Sequence, residues 1–241
     1  MSQYLCHEDP TLFDVECNVI KAEPGRVLLS GSSFYPGGGG QPADRGSLLW
    51  AGGETAVSGV ESRGGQIWHL LAEEIMPSGT VVAKVDPVFR AQMQRLHTVL
   101  HIVNALVFQE FDGSLVTGVQ MSDSGVARID FDLPDADNER LRALEPGIND
   151  VVRQDLAVRT ALVPLSAAAQ EEGTLRSKAV SPPAQSDGRI RIVEIDGLDR
   201  QACGGTHLGS TGEAGEIKIL KVENKGRHNR RLRIGLVELA L

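Results

Sequence analysis

Two short segments about a hundred residues apart, His97-Thr98-Val99-Leu100-His101 and Cys203-Gly204-Gly205-Thr206-His207, hold four soft or borderline metal ligands. Three imidazoles and a thiolate have the composition of a zinc site, because zinc takes nitrogen and sulfur in tetrahedral sets. Two histidines at i and i+4 on a helix lie one turn apart on the same face, so both reach one ion. The second pair repeats that spacing in a segment whose two glycines suit a tight backbone around a metal. Either half alone has a bland reading as a buried structural pair. The conjunction of the two points to zinc.

The chemistry of Cys203 has a rival. A nucleophilic cysteine with a distant histidine as its base would use the same residue types. Such a cysteine usually opens a helix, whose dipole lowers its pKa, whereas Cys203 is followed by Gly-Gly-Thr, a turn sequence. Metal ligation is therefore the preferred reading. Only three cysteines occur, at positions 6, 17 and 203, which allows at most one disulfide. With no secretory leader and no long apolar run, the chain is expected in the cytoplasm and off the membrane. Cys6 and Cys17 read as small hydrophobes. His7 and His69 read as satisfied non-ligand histidines, and His228, among Arg227, Arg230 and Arg231, as solvated or phosphate-facing.

The elements that must position these ligands follow from periodicity. At 241 residues and 41% hydrophobic content, the chain can bury a large core and is expected to form two domains of an α+β protein. The first, 1–88, reads as a small β-barrel-like domain. Strand-like runs at Val15–Ile20, Arg26–Leu29, Ser47–Trp50, Val57–Val60 and Gln66–Leu70 are punctuated by turn residues. Within it, Gly37 to Gly40 read from composition as a flexible loop. The second, 89–241, reads as an α+β zinc-binding domain. Val88–Phe111 has apolar residues at helical spacing with no internal Gly or Pro, and His97 and His101 fall near its middle. A hairpin is expected over Gly118–Met121 and Val126–Phe131. Helices are expected over Asp135–Leu144, again after Pro146 over Asn149–Leu156, and over Ala167–Glu172. Ala161–Leu165, Ile190–Ile195, Ile217–Glu223 and Arg231–Leu239 read as strands, residues 181–188 as an exposed loop, and residues 199–207 as the loop that carries the second ligand pair.

A net charge of −8 argues against general nucleic-acid affinity. Residues 218–233 reverse that locally, with seven Lys or Arg against the single acid Glu223. An acidic chain with one basic face can hold a particular RNA end; the bland reading is a solvated hairpin.

With these residues in place, the chain resembles the free-standing alanyl-tRNA editing proteins (the AlaX family), which are similar to the editing domain of alanyl-tRNA synthetase. The resemblance covers nearly the whole chain, through the Gly-rich Phe34–Gly46 segment, the His97–His101 helix, the strand Ala127–Phe131, the Cys203–His207 loop and Asn224-Lys225-Gly226. It implies zinc held by His97, His101, Cys203 and His207. It implies hydrolysis of the aminoacyl ester of alanine tRNA mischarged with serine, and of the glycyl ester. Gly38, Gly39, Gly40, Gln41 and Asp44 would line the site. Lys225, Arg227, Arg230 and Arg231, taken as the most exposed of the basic stretch, would contact the tRNA acceptor end. No stable protein partner is implied.

Two departures stand out. Val99-Leu100 occupies the place where the family helix usually reads Ala-Thr, and Thr117 falls where the synthetase has a polar glutamine, with Gln120 nearby as an alternative contact to substrate. Four protein ligands fill a tetrahedral site, which favours zinc as anchor over zinc as water activator. The rival functions are a zinc-stabilised RNA-binding module without catalysis and a zinc hydrolase of small esters. The initial Met and the lack of an ATP-binding segment lead to the expectation of a free-standing protein that does not activate an amino acid.

Overall fold

The computed structural model describes residues 3–134, 137–178, 184–185 and 187–237. Two compact units divide the chain, Met1–Gly38 with Pro42–Gln92, and Gly39–Gln41 with Met93–Leu241. No helix among the described residues is long and apolar enough to cross a membrane.

The first unit contains β1 (Gln3–Tyr4), α1 (Leu5–Glu8), β2 (Asp14–Glu23), β3 (Arg26–Leu29), β4 (Gly31–Ser32), β5 (Gly46–Trp50), β6 (Gly53–Arg63), β7 (Gln66–Leu71) and β8 (Thr80–Val85). Six of these close a barrel in the order β2-β3-β7-β6-β5-β8, as the short turn-punctuated strands suggest. Alternation fills its interior: Val81, Ala83 and Val85 of β8 point inward to Val27, Leu48 and Ile67. On β6 the buried set changes from odd Val57 to even Val60. A register shift between Val57 and Gly59 inserts one residue there, which turns the following side chains to the opposite face. Cys17 lies in this core, and burial pushes its thiol up to about 11, as suits an inert hydrophobe.

The helix α2 (Pro87–Glu110) leads into the second unit. It is followed by β9 (Val116–Met121), β10 (Val126–Asp132), α3 (Asn138–Arg142), α4 (Leu144–Arg153), β11 (Val158–Pro164), α5 (Leu165–Ala168), β12 (Arg189–Ile195), β13 (Asp199–Ala202), a 3₁₀ turn over Thr211–Ala214, β14 (Ile217–Lys225) and β15 (Asn229–Leu236). Two sheets form, β14-β15-β10-β9 and β11-β12-β13. From Met93 onward α2 is buried on nearly every side, by Met93, Leu96, Val99, Ile102, Val103 and Val107. A second buried stripe on the same helix is polar: Gln94, His97, Thr98, His101 and Asn104. Its spacing of three and four residues places these side chains on one face.

Several expectations change. Pro146 does not break a helix: α4 begins at Leu144, and proline is tolerated in a first turn, where its missing N–H has no intrahelical partner to lose. The helix expected from Asp135 starts at Asn138, capped by Asp137, whose side chain accepts from the Glu139 amide; residues 135–136 lie outside the described residues, as do 181–183, 186 and 238–239. Asp199–Ala202, expected as loop, is a strand paired with β12, so the ladder and not residue propensity sets its conformation. The Gly-rich segment is also ordered. Gly40 has φ +85°, and a Cβ there would sit 2.5 Å from the Val119 carbonyl oxygen, so only glycine fits. The Gly40 carbonyl accepts from the Met121 amide at 2.8 Å, which lays this segment along β9, the outer strand of its sheet.

Candidate metal centre

The ligand atoms of His97, His101, Cys203 and His207 lie within 4.8 Å of one another in the second unit. Helix α2 presents the first two. The second two follow β13, in a loop whose first half is held by Arg191: its Nη1 donates to the carbonyls of Cys203 and Gly205, both at 2.9 Å. The Cys203 Sγ is 3.3 Å from His97 Nε2 and 3.5 Å from His207 Nε2. Gly205 is required by space: a Cβ would meet His97 Cε1 at 2.0 Å and Nδ1 at 2.2 Å. Gly204 has open space around it, so the two glycines of the loop are not equivalent.

Two of the imidazoles have a hydrogen-bonding neighbour at Nδ1, and the third faces a carboxylate at longer range. His97 Nδ1 is 2.8 Å from Gln41 Oε1. His207 Nδ1 is 3.3 Å from the Thr98 hydroxyl, which also accepts from the Leu208 amide at 3.2 Å. His101 Nδ1 is 3.6 Å from Asp199 Oδ2, and Asp199 is paired through Oδ1 with Arg176 at 2.7 Å. Gln94 donates to the His207 carbonyl at 2.9 Å, and Asn104 to Gln201 at 2.8 Å, so the polar stripe of α2 faces β13 and the ligand loop that follows it.

Charge in the cluster follows from these neighbours. Burial opposes the His101 imidazolium, but the Cys203 sulfur and Asp199 outweigh it and its pKa is pushed up to about 9. Burial alone would raise the Cys203 thiol; His97 and His101 instead hold it well below the usual thiol range. Burial, with His97 and His101 close by, keeps His207 well below the usual imidazole range. A metal binds a thiolate and neutral imidazoles, so its binding would release the proton that His101 otherwise keeps.

The other residues singled out in the sequence fall in different places. Gln41 is buried beside His97 and belongs, with Gly39 and Gly40, to the second unit. The Gly38 carbonyl accepts from the Tyr35 hydroxyl in the first unit. Asp44, expected to offer hydrogen bonds to a site, is fully buried and committed to Arg90 and to the Tyr35 amide. Thr117 donates to Asn229 Oδ1 at 3.2 Å, and Gln120, exposed on β9, accepts from Arg128 at 2.9 Å. Lys225 and Arg227 are exposed at the β14–β15 turn, with His228. Arg230, expected to be exposed, is 8% exposed and donates to the Pro134 carbonyl. Arg231 makes a two-pronged pair with Asp130, at 2.6 and 2.7 Å, its direct cross-strand partner. His69 is a non-ligand histidine, 2.6 Å from the Ser32 hydroxyl.

Residues 190–233, from β12 into β15, match the family model described as the threonyl and alanyl tRNA synthetase second additional domain. An alanine–tRNA ligase of Korarchaeum cryptofilum is 38% identical over 90% of the chain, which spans 24% of that ligase. The alanyl-tRNA editing protein AlaX-M of Saccharolobus solfataricus is 34% identical, over 96% of this chain and 98% of its own. That of Methanosarcina mazei is 32% identical, over 100% and 98%.

Proposed function

Because the chain belongs to the family of the alanyl-tRNA editing proteins AlaX-M, we propose that it is a trans-editing hydrolase in the cytoplasm. It removes serine, and also glycine, from mischarged alanine tRNA by hydrolysing the 3′ aminoacyl ester at a zinc site. The observation that carries this reading is the convergence of His97, His101, Cys203 and His207, drawn from two distant segments, within 4.8 Å. The donor set fits zinc. A tetrahedral ion with Zn–N and Zn–S bonds of about 2.0–2.3 Å separates its nitrogen and sulfur ligands by about 3.5 Å, and the two sulfur–nitrogen distances here are 3.3 and 3.5 Å.

When bound, zinc supplies Lewis-acid polarisation or a fixed anchor for the ester. The protein's own groups do the rest. His97, His101, Cys203 and His207 together would fill a tetrahedral set, which favours zinc as the organiser of the ligand loop that orients the substrate over zinc as the activator of water. Gly38 to Gln41 let backbone approach a substrate closely, and Thr117 or, as the alternative, Gln120 on β9 meets the seryl hydroxyl. Such recognition is useful because an apolar pocket rejects an added hydroxyl by only about 10²-fold, whereas a site that bonds to the hydroxyl leaves its own groups unpaired with alanine. Lys225 and Arg227 face the phosphates of the acceptor end. In this reading, residues 1–88 act as a β-rich domain and 89–241 as the zinc-binding editing domain.

Deacylation of serine-charged alanine tRNA, beside correctly charged alanine tRNA, tests the proposal with zinc-loaded protein and Cys203→Ala. Selective release of serine that the variant loses, while its circular dichroism is retained, is the expected result. Bound tRNA without turnover in either protein would replace this reading with that of an RNA-binding module stabilised by zinc.

A further inference from the structure

The three ligand histidines are not held alike. The Thr98 hydroxyl near His207 can donate or accept, so it does not dictate which ring nitrogen carries the proton. Asp199 accepts only, but at 3.6 Å from His101 Nδ1 it lies beyond hydrogen-bond length. Gln41 differs from both. Its Oε1 accepts the Thr206 backbone N–H at 3.1 Å, and its Nε2 donates to the Thr206 hydroxyl at 2.9 Å. A backbone N–H can only donate, so the amide atom that meets it must be oxygen, and the flip ambiguity of glutamine is removed. The same oxygen faces His97 Nδ1 at 2.8 Å. Nδ1 must therefore carry a proton, and on the neutral ring, the form that binds a metal, this leaves the Nε2 lone pair directed at the cluster, 3.3 Å from Cys203 Sγ.

We propose that Gln41 is a positioning residue: through Oε1 it fixes the tautomer and ring orientation of His97, so that Nε2 is presented to the metal. The inference rests on the metal reading above. It changes the role of Gln41 from lining a substrate to holding a ligand. Thr206, inside the ligand loop, anchors the amide from the other side, so the Gly-rich segment and the Cys203–His207 loop meet on one side chain. Gly205 makes room for the arrangement, because a Cβ there would also come within 2.9 Å of Gln41 Oε1.

Competition of the full-length protein with a chelator for Zn²⁺, and the visible absorption of the Co²⁺-loaded protein, test this without any tRNA. Gln41→Leu removes the acceptor and is expected to weaken Zn²⁺ binding 10–100-fold, the range typical for loss of a partner behind a ligand, and to alter the Co²⁺ spectrum. Gln41→Glu keeps an acceptor for Nδ1–H and is expected to recover affinity to within about tenfold of the wild type. Thr206→Val, which frees the amide's far end and leaves Gln41 in place, is expected to give a several-fold loss and carries the test if Gln41→Leu fails to fold. Wild-type affinity in Gln41→Leu, or in Thr206→Val should that variant alone fold, overturns the inference. A rise confined to KM for seryl-tRNA would return Gln41 to substrate contact. Absence of metal binding by the wild type would instead remove the metal reading itself.

Discussion

Burial does not by itself make a histidine a ligand, and His69 and His101 separate the two cases. Both are buried. His101 faces a sulfur and a carboxylate, which raise its pKa to about 9 against the effect of burial. His69 faces the Ser32 hydroxyl and the edge of Phe34, with ring centroids 5.2 Å apart, and burial lowers its pKa to about 4. Its folded form is thus neutral where the unfolded chain, near 6.5, begins to take up a proton. The sign follows: stability from the neutral ring is fully present above pH 6.5 and is lost as pH falls toward 4, by about 3 kcal/mol over the whole window. Between pH 7 and pH 5 the loss is about 2 kcal/mol. Urea unfolding of wild type and His69→Gln at the two pH values isolates it, because every other titrating group is common to both proteins. The wild type is expected to lose about 2 kcal/mol more than the variant; equal losses would mean that His69 is not held neutral.

At the scale of elements, what was legible in the sequence was local. The spacing of apolar residues located α2, and the i,i+4 histidines on it are in the cluster because a helix must place them together. The barrel strands were readable for the same reason. Asp44 was not, because motif adjacency grouped it with Gln41, whereas its partner Arg90 is 46 residues away. Asp199–Ala202 does not read as a strand because its polar sequence has no strand signature of its own and depends on β12. The motif singles out Gln41, but nothing local in the sequence points to its partner His97, which lies 56 residues on. The Gly-rich segment shows how such distant contacts arise. Its conformation depends on Gly40, which is both left-handed and in contact with β9. Gly40→Ala is expected to lower stability by more than about 1 kcal/mol and to speed hydrogen exchange at the Met121 amide, which donates to the Gly40 carbonyl. Unchanged protection at Met121 would show that the segment is held on β9 by something else.

At the scale of the molecule, binding an RNA end must overcome a net charge of −8. The sequence offers seven basic residues over 218–233, but the fold withdraws several from that task. Glu223 pairs with Lys221 and Arg233, both at 3.0 Å. Asp130 holds Arg231, and Arg230 is buried. Lys225 and Arg227 remain exposed at the hairpin turn, where a phosphate can approach without first breaking an ion pair given above. If they contact two phosphates of the acceptor end, each releases roughly 0.7–0.9 of a counterion on binding. Replacing both with alanine should then reduce the slope of log K against log salt by about 1.5 and weaken binding most at low salt. Fluorescence anisotropy with uncharged alanine tRNA across a salt series measures this. The paired Arg231 supplies the contrast: Arg231→Ala leaves Asp130 with only the longer contact to Arg128, at 3.4 Å, and is expected to affect stability more than the salt slope. A slope unchanged in the Lys225/Arg227 variant but reduced in Arg231→Ala would move the RNA contact from the turn to the face of the sheet.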